Sequence, residues 1–155
     1  MAFFEDIEIG ETVELGSYLF TDEAIIAFAR RYDPQPFHVD HEAARRSHFG
    51  ALCASGWHTA VVWMRLNVDA RKRAAAEAGG APLDTLGPSP GFQDLQWLKP
   101  VYAGDTIRYA SRVTEKRALK SRAGWGLVTS RNEGWNQRGE LAFGFTGHVF
   151  VRLRG

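Results

Sequence analysis

The sequence predicts an α+β domain in which a single antiparallel sheet wraps a long buried helix. Three observations carry that expectation. The first is a helical stretch from residue 56 to about residue 78. It opens on Trp57-His58-Thr59-Ala60-Val61-Val62-Trp63-Met64, apolar on nearly every side as a buried helix is. The second is a change of texture from Phe92 onward, where strand-like runs occupy 93–98, 105–119, 124–132 and 140–153. Two of them alternate clearly, as in Ile107-Arg108-Tyr109-Ala110-Ser111-Arg112-Val113. The third is the order: a strand, then helices, then consecutive strands, which is the layout of an α+β fold. Curling one sheet around the helix is the economical way to bury an all-round apolar helix.

Taken in order, residues 11–20 alternate loosely through Val13, Leu15 and Ser17 and read as the first strand. Thr21 or Asp22 caps a helix whose apolar stripe is Ile25, Ile26, Phe28 and Ala29. That helix ends near Tyr32, because Pro34 disfavours helical geometry at Asp33. Residues 33–39 form a proline-stiffened loop, and 40–47 suit a short helix. The long helix carries Arg71, Lys72 and Arg73 in its second half and stops at Gly79-Gly80. Residues 81–91, rich in Pro and Gly, connect it to the strands.

The chain has 155 residues, 45% of them hydrophobic and 24% charged, which fits a single domain over residues 1–155 with a core of its own. A net charge of +1 provides no field to recruit nucleic acid or an anionic membrane. Residues 49–64 of the hydrophobic middle carry no Asp, Glu, Lys or Arg, a run shorter than the ~20 residues of a membrane span. The N-terminus lacks the basic-then-apolar pattern of a signal peptide. The one cysteine, Cys53, reads as a small buried hydrophobe, in keeping with a reducing cytoplasm.

Candidate chemistry lies in Tyr32-Asp33-Pro34-Gln35-Pro36-Phe37-His38-Val39-Asp40. Pro34 and Pro36 fix their own φ and bias Asp33 and Gln35 away from helical geometry. A stiff, turned loop of this kind can hold the Asp33 carboxylate and the His38 imidazole on one water. Such a pair suits general acid/base work near neutrality. Taken alone, such a loop is more often a plain turn with Asp40 capping the next helix. Metal binding by His38, Asp40 and His41 is the weaker alternative, since no thiol is near and no H-E-x-x-H spacing occurs; no metal site is expected. A second feature is Ser55-Gly56, at the start of the long helix, where free backbone N–H groups carry partial positive charge. Gly56 there lets a carbonyl oxygen approach closely, as enolate stabilisation requires. By itself Ser55 reads more simply as the N-cap of a core helix.

Together these features resemble the MaoC-like dehydratases, the hotdog-fold group that includes (R)-specific enoyl-CoA hydratases of the hydratase 2 type. The matching residues are Asp33, Pro36, His38, Asp40, Ala43, Phe49-Gly50 and Gly56, in the family's order. The segment Leu98-Lys99-Pro100-Val101-Tyr102-Ala103-Gly104-Asp105-Thr106 looks like the family's turn between two strands. The similarity spans essentially the whole chain.

The resemblance implies a hydro-lyase of fatty acid metabolism that adds water to a 2-enoyl-CoA double bond, or removes it from a 3-hydroxyacyl-CoA. Asp33 and His38 would be the acid/base pair, in roles the sequence leaves open. The Gly56 N–H would polarise the thioester oxygen, and Ser55, Trp57, Gln35 and Phe37 would line the site. No cofactor is implied, since the acyl-CoA substrate carries its own CoA, and the expected assembly is a homodimer or larger homo-oligomer. Gln35, Tyr32 and Ser55 stand where the family has Asn, Gly and His, which points to a reshaped acyl pocket. Aromatic bulk at Trp57 and Phe37 points to a short or branched acyl group, with Tyr32 narrowing or lining the pocket. Arg71–Arg73 and the basic link at 116–122 are candidates for the CoA phosphates. A hotdog thioesterase is disfavoured because the first turns of the long helix lack a carboxylate. A non-catalytic acyl-thioester-binding subunit is the other alternative.

Overall fold

The computed structural model describes residues 3–79 and 85–155; the expected connection at 81–91 falls partly outside them. Strand β1 (Thr12–Leu19) leads into α1 (Asp22–Tyr32), the short helices α2 (Pro36–Val39) and α3 (His41–Arg45), and the long α4 (Gly56–Glu77). Strands β2 (Gly91–Trp97), β3 (Thr106–Ala118), β4 (Trp125–Trp135) and β5 (Leu141–Arg152) follow. All pairings are antiparallel, in the order β1-β3-β4-β5-β2. This is the α+β hotdog architecture, with β1 and β2 as the two edges. No described helix is long and apolar enough to cross a membrane.

The helix boundaries follow local chemistry. Thr21 accepts a bond from the Ala24 N–H at 3.1 Å and so opens α1, with Asp22 and Glu23 in its first turn. The chain leaves α1 at Asp33, whose φ of −153° and ψ of 67° lie outside the helical region, which the following proline disfavours. Asp40 accepts from the Ala43 N–H at 2.7 Å and opens α3. Helix α4 is capped by Ser55, whose Oγ accepts from the Trp57 N–H at 3.3 Å. It ends at Glu77, just before Gly79 in the left-handed region at φ 86°.

The core lies between α4 and the concave face of the sheet, with Leu15, Phe20, Tyr109 and Phe143 on its sheet side. Val62 and Trp63 face it from the helix, and Trp63 meets Phe145 edge-on at 4.6 Å. The buried Tyr109 hydroxyl donates to the Thr59 carbonyl at 3.0 Å, tying α4 to β3. Two expectations need correction. Helix α4 is not buried all round: Trp57, Val61 and Met64, at i, i+4 and i+7, are about half exposed along one stripe. Apolar residues on every face therefore mark a core face plus a second, open apolar face. Residues 33–39 are not loop throughout either: Pro36 takes the first position of α2, where its missing N–H costs nothing.

Candidate active site

The site is assembled by three segments that meet at the N-terminus of α4. Asp33 closes α1, Gln35 precedes α2, and Phe37 and His38 lie within α2. The stretch before α4 is clamped on both sides. The Cys53 N–H donates to the Phe37 carbonyl at 3.3 Å and the Ala54 N–H to the Val101 carbonyl at 2.7 Å. The Ala103 N–H donates to the Leu52 carbonyl at 3.0 Å, and the Tyr102 hydroxyl reaches the Phe49 carbonyl at 2.9 Å. The turn at 101–105 holds its own shape, because Asp105 accepts from the Tyr102 N–H at 2.9 Å. Its work is therefore to fix residues 52–54.

That clamp aims the Cys53 carbonyl at His38 Nδ1, 2.6 Å away. A carbonyl only accepts, so Nδ1 carries the proton, and in the neutral ring Nε2 is left with a lone pair. Nε2 lies 3.5 Å from Asp33 Oδ2. The other carboxylate oxygen, Oδ1, accepts from the Gln35 amide at 2.8 Å. Burial pushes the Asp33 pKa up, but the Ser55 hydroxyl, the Gln35 amide and the attraction of His38 outweigh it, and the net shift is downward. Asp33 is thus a carboxylate near neutral pH, with its side chain 17% exposed beside a buried imidazole. With the ring neutral, Nε2 and Oδ2 both offer lone pairs to a substrate water; with it protonated, Nε2–H donates to Oδ2.

A cleft of about 520 Å³ opens over the pair, lined by Asp33, Gln35, Phe37, His38, Gly56 and Trp57 among others. Ser55 lies beneath it, fully buried. Among the described residues the Gly56 N–H has no acceptor, so a donor at the positive end of α4 remains free for a ligand oxygen. Of the residues expected at the site, Asp33, Gln35, Phe37, His38, Gly56 and Trp57 line this cleft, and the buried Ser55 adjoins it. Tyr32 is the exception to the expected pocket: it is 64% exposed and packs on Phe28 at 5.1 Å, away from the cleft.

Sequence reasoning missed Trp97, whose indole occupies the space where a side chain at position 56 would begin. Glycine is thus required there by a neighbouring ring as much as by a ligand. The signal available was the strand run ending at Trp97-Leu98, directly before Lys99-Pro100. The metal alternative finds its residues used elsewhere: His41 pairs with Asp22 at 2.8 Å and Asp40 caps α3. Three residues of the basic clusters are engaged structurally. Arg73 donates to the Leu15 carbonyl at 3.2 Å, Lys116 to the Phe4 carbonyl at 3.2 Å, and Arg122 lies over the Trp125 and Phe150 rings. The Cys53 thiol, pushed up to about 11 by burial, is no nucleophile.

The model of the MaoC-like domain matches residues 5–133. The chain belongs to the MaoC-like family. Among solved structures it is 36% identical to a MaoC-like dehydratase from Rhodospirillum rubrum, covering 100% of this chain and 99% of that one, with a TM-score of 0.83. A monoamine oxidase regulatory protein from Archaeoglobus is 30% identical over 99% of this chain and 96% of its own, with a TM-score of 0.85. Mesaconyl-CoA hydratase from Cereibacter sphaeroides is 39% identical over 64 residues, 41% of this chain and 18% of that protein. The family and its hydratase members support a hydro-lyase site in general terms, and the geometry above carries the chemistry further.

Proposed function

We propose that the protein is an (R)-specific 2-enoyl-CoA hydratase, running equally as a 3-hydroxyacyl-CoA dehydratase. The observation that carries this reading is the 3.5 Å pair of His38 Nε2 and Asp33 Oδ2 in one cleft with the free Gly56 N–H. The thioester oxygen accepts from Gly56, which draws charge from the double bond and makes the β-carbon electrophilic. Water held by the pair adds its oxygen to that carbon and gives up one proton to the pair. The enolate that results recovers a proton at the α-carbon from the same pair, so the hydrogen count closes with no other reagent. Because the two groups share the proton, the acid and base roles belong to the dyad. The resemblance to the MaoC-like group, which includes (R)-specific hydratases, supports the stereochemistry, and the name of the Cereibacter relative supports a CoA thioester.

The exposed stripe of α4 and the edge strand β2, with Phe92 and Trp97 half exposed, form an apolar face that a second copy of the chain would cover. Light scattering that returned only a monomer would count against this homodimer. The activity is tested with a panel of 2-enoyl-CoAs and chiral analysis of the product. Asp33→Asn and His38→Ala are each expected to lower turnover by about 10²–10⁴-fold. Full hydration by either variant, or thioester binding without hydration by the wild type, would overturn the reading in favour of a binding subunit.

A further inference from the structure

A second cleft of about 530 Å³ runs between α4 and the sheet and shares Trp57 with the first. Its walls near Trp57 are apolar, made by Ala60, Val61, Met64 and Leu95; Val61 and Met64 belong to the stripe proposed above to meet a second copy, so the partner would roof this end of the cleft. Farther along α4 the lining turns polar, with Asn67, Arg71, Ser130, Asn132 and His148. Two of these groups sit in states that call for a ligand. Arg71 makes no ion pair with any described residue, although desolvation already pushes its pKa down. Asn132 is 2% exposed, and its Oδ1 has no donor among the described residues; a hydroxyl or a water would complete that acceptor, so the carboxylate itself is assigned to Arg71 alone. A cation facing a largely apolar cleft with no counter-ion among the described residues is costly to leave in place unless something completes it.

We propose that this cleft receives an acyl chain whose far end carries a carboxylate, and that Arg71 is the residue that binds it. The substrate class is then an ω-carboxy-2-enoyl thioester, a half-thioester of a long dicarboxylic acid. Gly56 and Arg71 are fifteen residues apart on one helix, or roughly 22 Å along its axis. Arginine on a helix leans back toward the N-terminus, which shortens the reach. The distance calls for an acyl chain on the order of ten carbons or more. Trp57, packed edge-on against Trp97 at 5.1 Å, stands where the two clefts adjoin and would have to swing aside for such a chain, a proposal that departs from the expectation of a short or branched acyl group. The polar end discriminates by leaving Arg71 desolvated and unpaired whenever a methyl-ended chain fills the cleft.

The substrate class rests on the hydratase reading, but the carboxylate site does not, and the test separates them. Dodecanoate and dodecan-1-ol are titrated into the wild type, with indole fluorescence reporting through Trp57 and Trp63, which line the cleft. Dodecanoate is expected to bind at least ~10-fold tighter, as a paired charge in a dry site does. Arg71→Met should abolish the difference and Arg71→Lys should keep most of it. In the enzymatic arm, a twelve-carbon ω-carboxy-2-enoyl-CoA should exceed the methyl-ended enoyl-CoA in kcat/KM, and Arg71→Met should bring the ratio close to one. Equal binding of the two probes, or displacement of dodecanoate by CoA alone, overturns the inference. Hydration without preference for the ω-carboxy substrate also overturns it while leaving the hydratase reading intact. Selective dodecanoate binding with no hydration of any thioester supports the carboxylate site and sinks the hydratase.

Discussion

His38 and His58 are buried to nearly the same degree, at 6% and 5% exposure, on either side of the Ser55-Gly56 corner. Their surroundings differ in kind. His38 has a carbonyl on one nitrogen and a carboxylate within 3.5 Å of the other. His58 is stacked on Phe28 at 4.6 Å and met edge-on by Phe20 at 4.9 Å, and its Nδ1 has no partner. Burial holds the His58 pKa down to about 4, so that ring stays neutral and serves as packing. The lesson is that burial does not make a histidine catalytic. What distinguishes the first is an acceptor that sets its tautomer and a carboxylate beside its other nitrogen.

Beyond the catalytic pair itself, the largest effect that would sharpen this contrast is at Gly56, on the active side. A methyl there collides with the Trp97 indole, which must shift together with the start of α4. Gly56→Ala is expected to cost about 100-fold in kcat/KM through misplacement of the N–H donor. Trp97→Ala in the same chain should restore part of it. Unchanged kinetics in Gly56→Ala would break the link between this corner and the chemistry.

The next effect belongs to His58 and is one of stability. Its folded pKa lies below the unfolded value, so the unfolded chain binds the extra proton. Stability is therefore complete above about pH 6.5 and falls as pH drops toward 4. The loss between pH 8 and pH 5 amounts to roughly 2 kcal/mol. Urea unfolding of His58→Phe should show that loss removed. An acid dependence identical to that of the wild type would contradict the assignment.

The smallest effect is at Ser55. Ser55→Ala removes the cap of α4, at about 1 kcal/mol. It also removes a group that holds the Asp33 pKa down, so the acid limb of the pH–rate profile should move to higher pH. A stability loss with no movement of that limb would restrict Ser55 to capping.

Much of this arrangement was legible in the sequence. The caps at Thr21, Asp40 and Ser55, the strand runs and the proline bias at Asp33 follow from local chemistry and reappear in the structure. Local physics made Asp33 and His38 a plausible pair but could not outvote a plain turn; the ordered family match supplied the rest. What stayed hidden depends on contacts distant in sequence. Trp97 reaches Gly56 from another strand, and Cys53 sets the His38 tautomer through a main-chain atom that no residue pattern encodes. The open face of α4 was misread because an apolar residue looks the same whether it faces a core or an unfilled surface.

The central claim is that Asp33 and His38 act as one proton-carrying unit, and a double-mutant cycle on hydration tests it most directly. The account predicts that Asp33→Asn/His38→Ala is no slower in kcat/KM than the slower of the two single variants. Losses that multiply would contradict it, since independent groups make independent contributions.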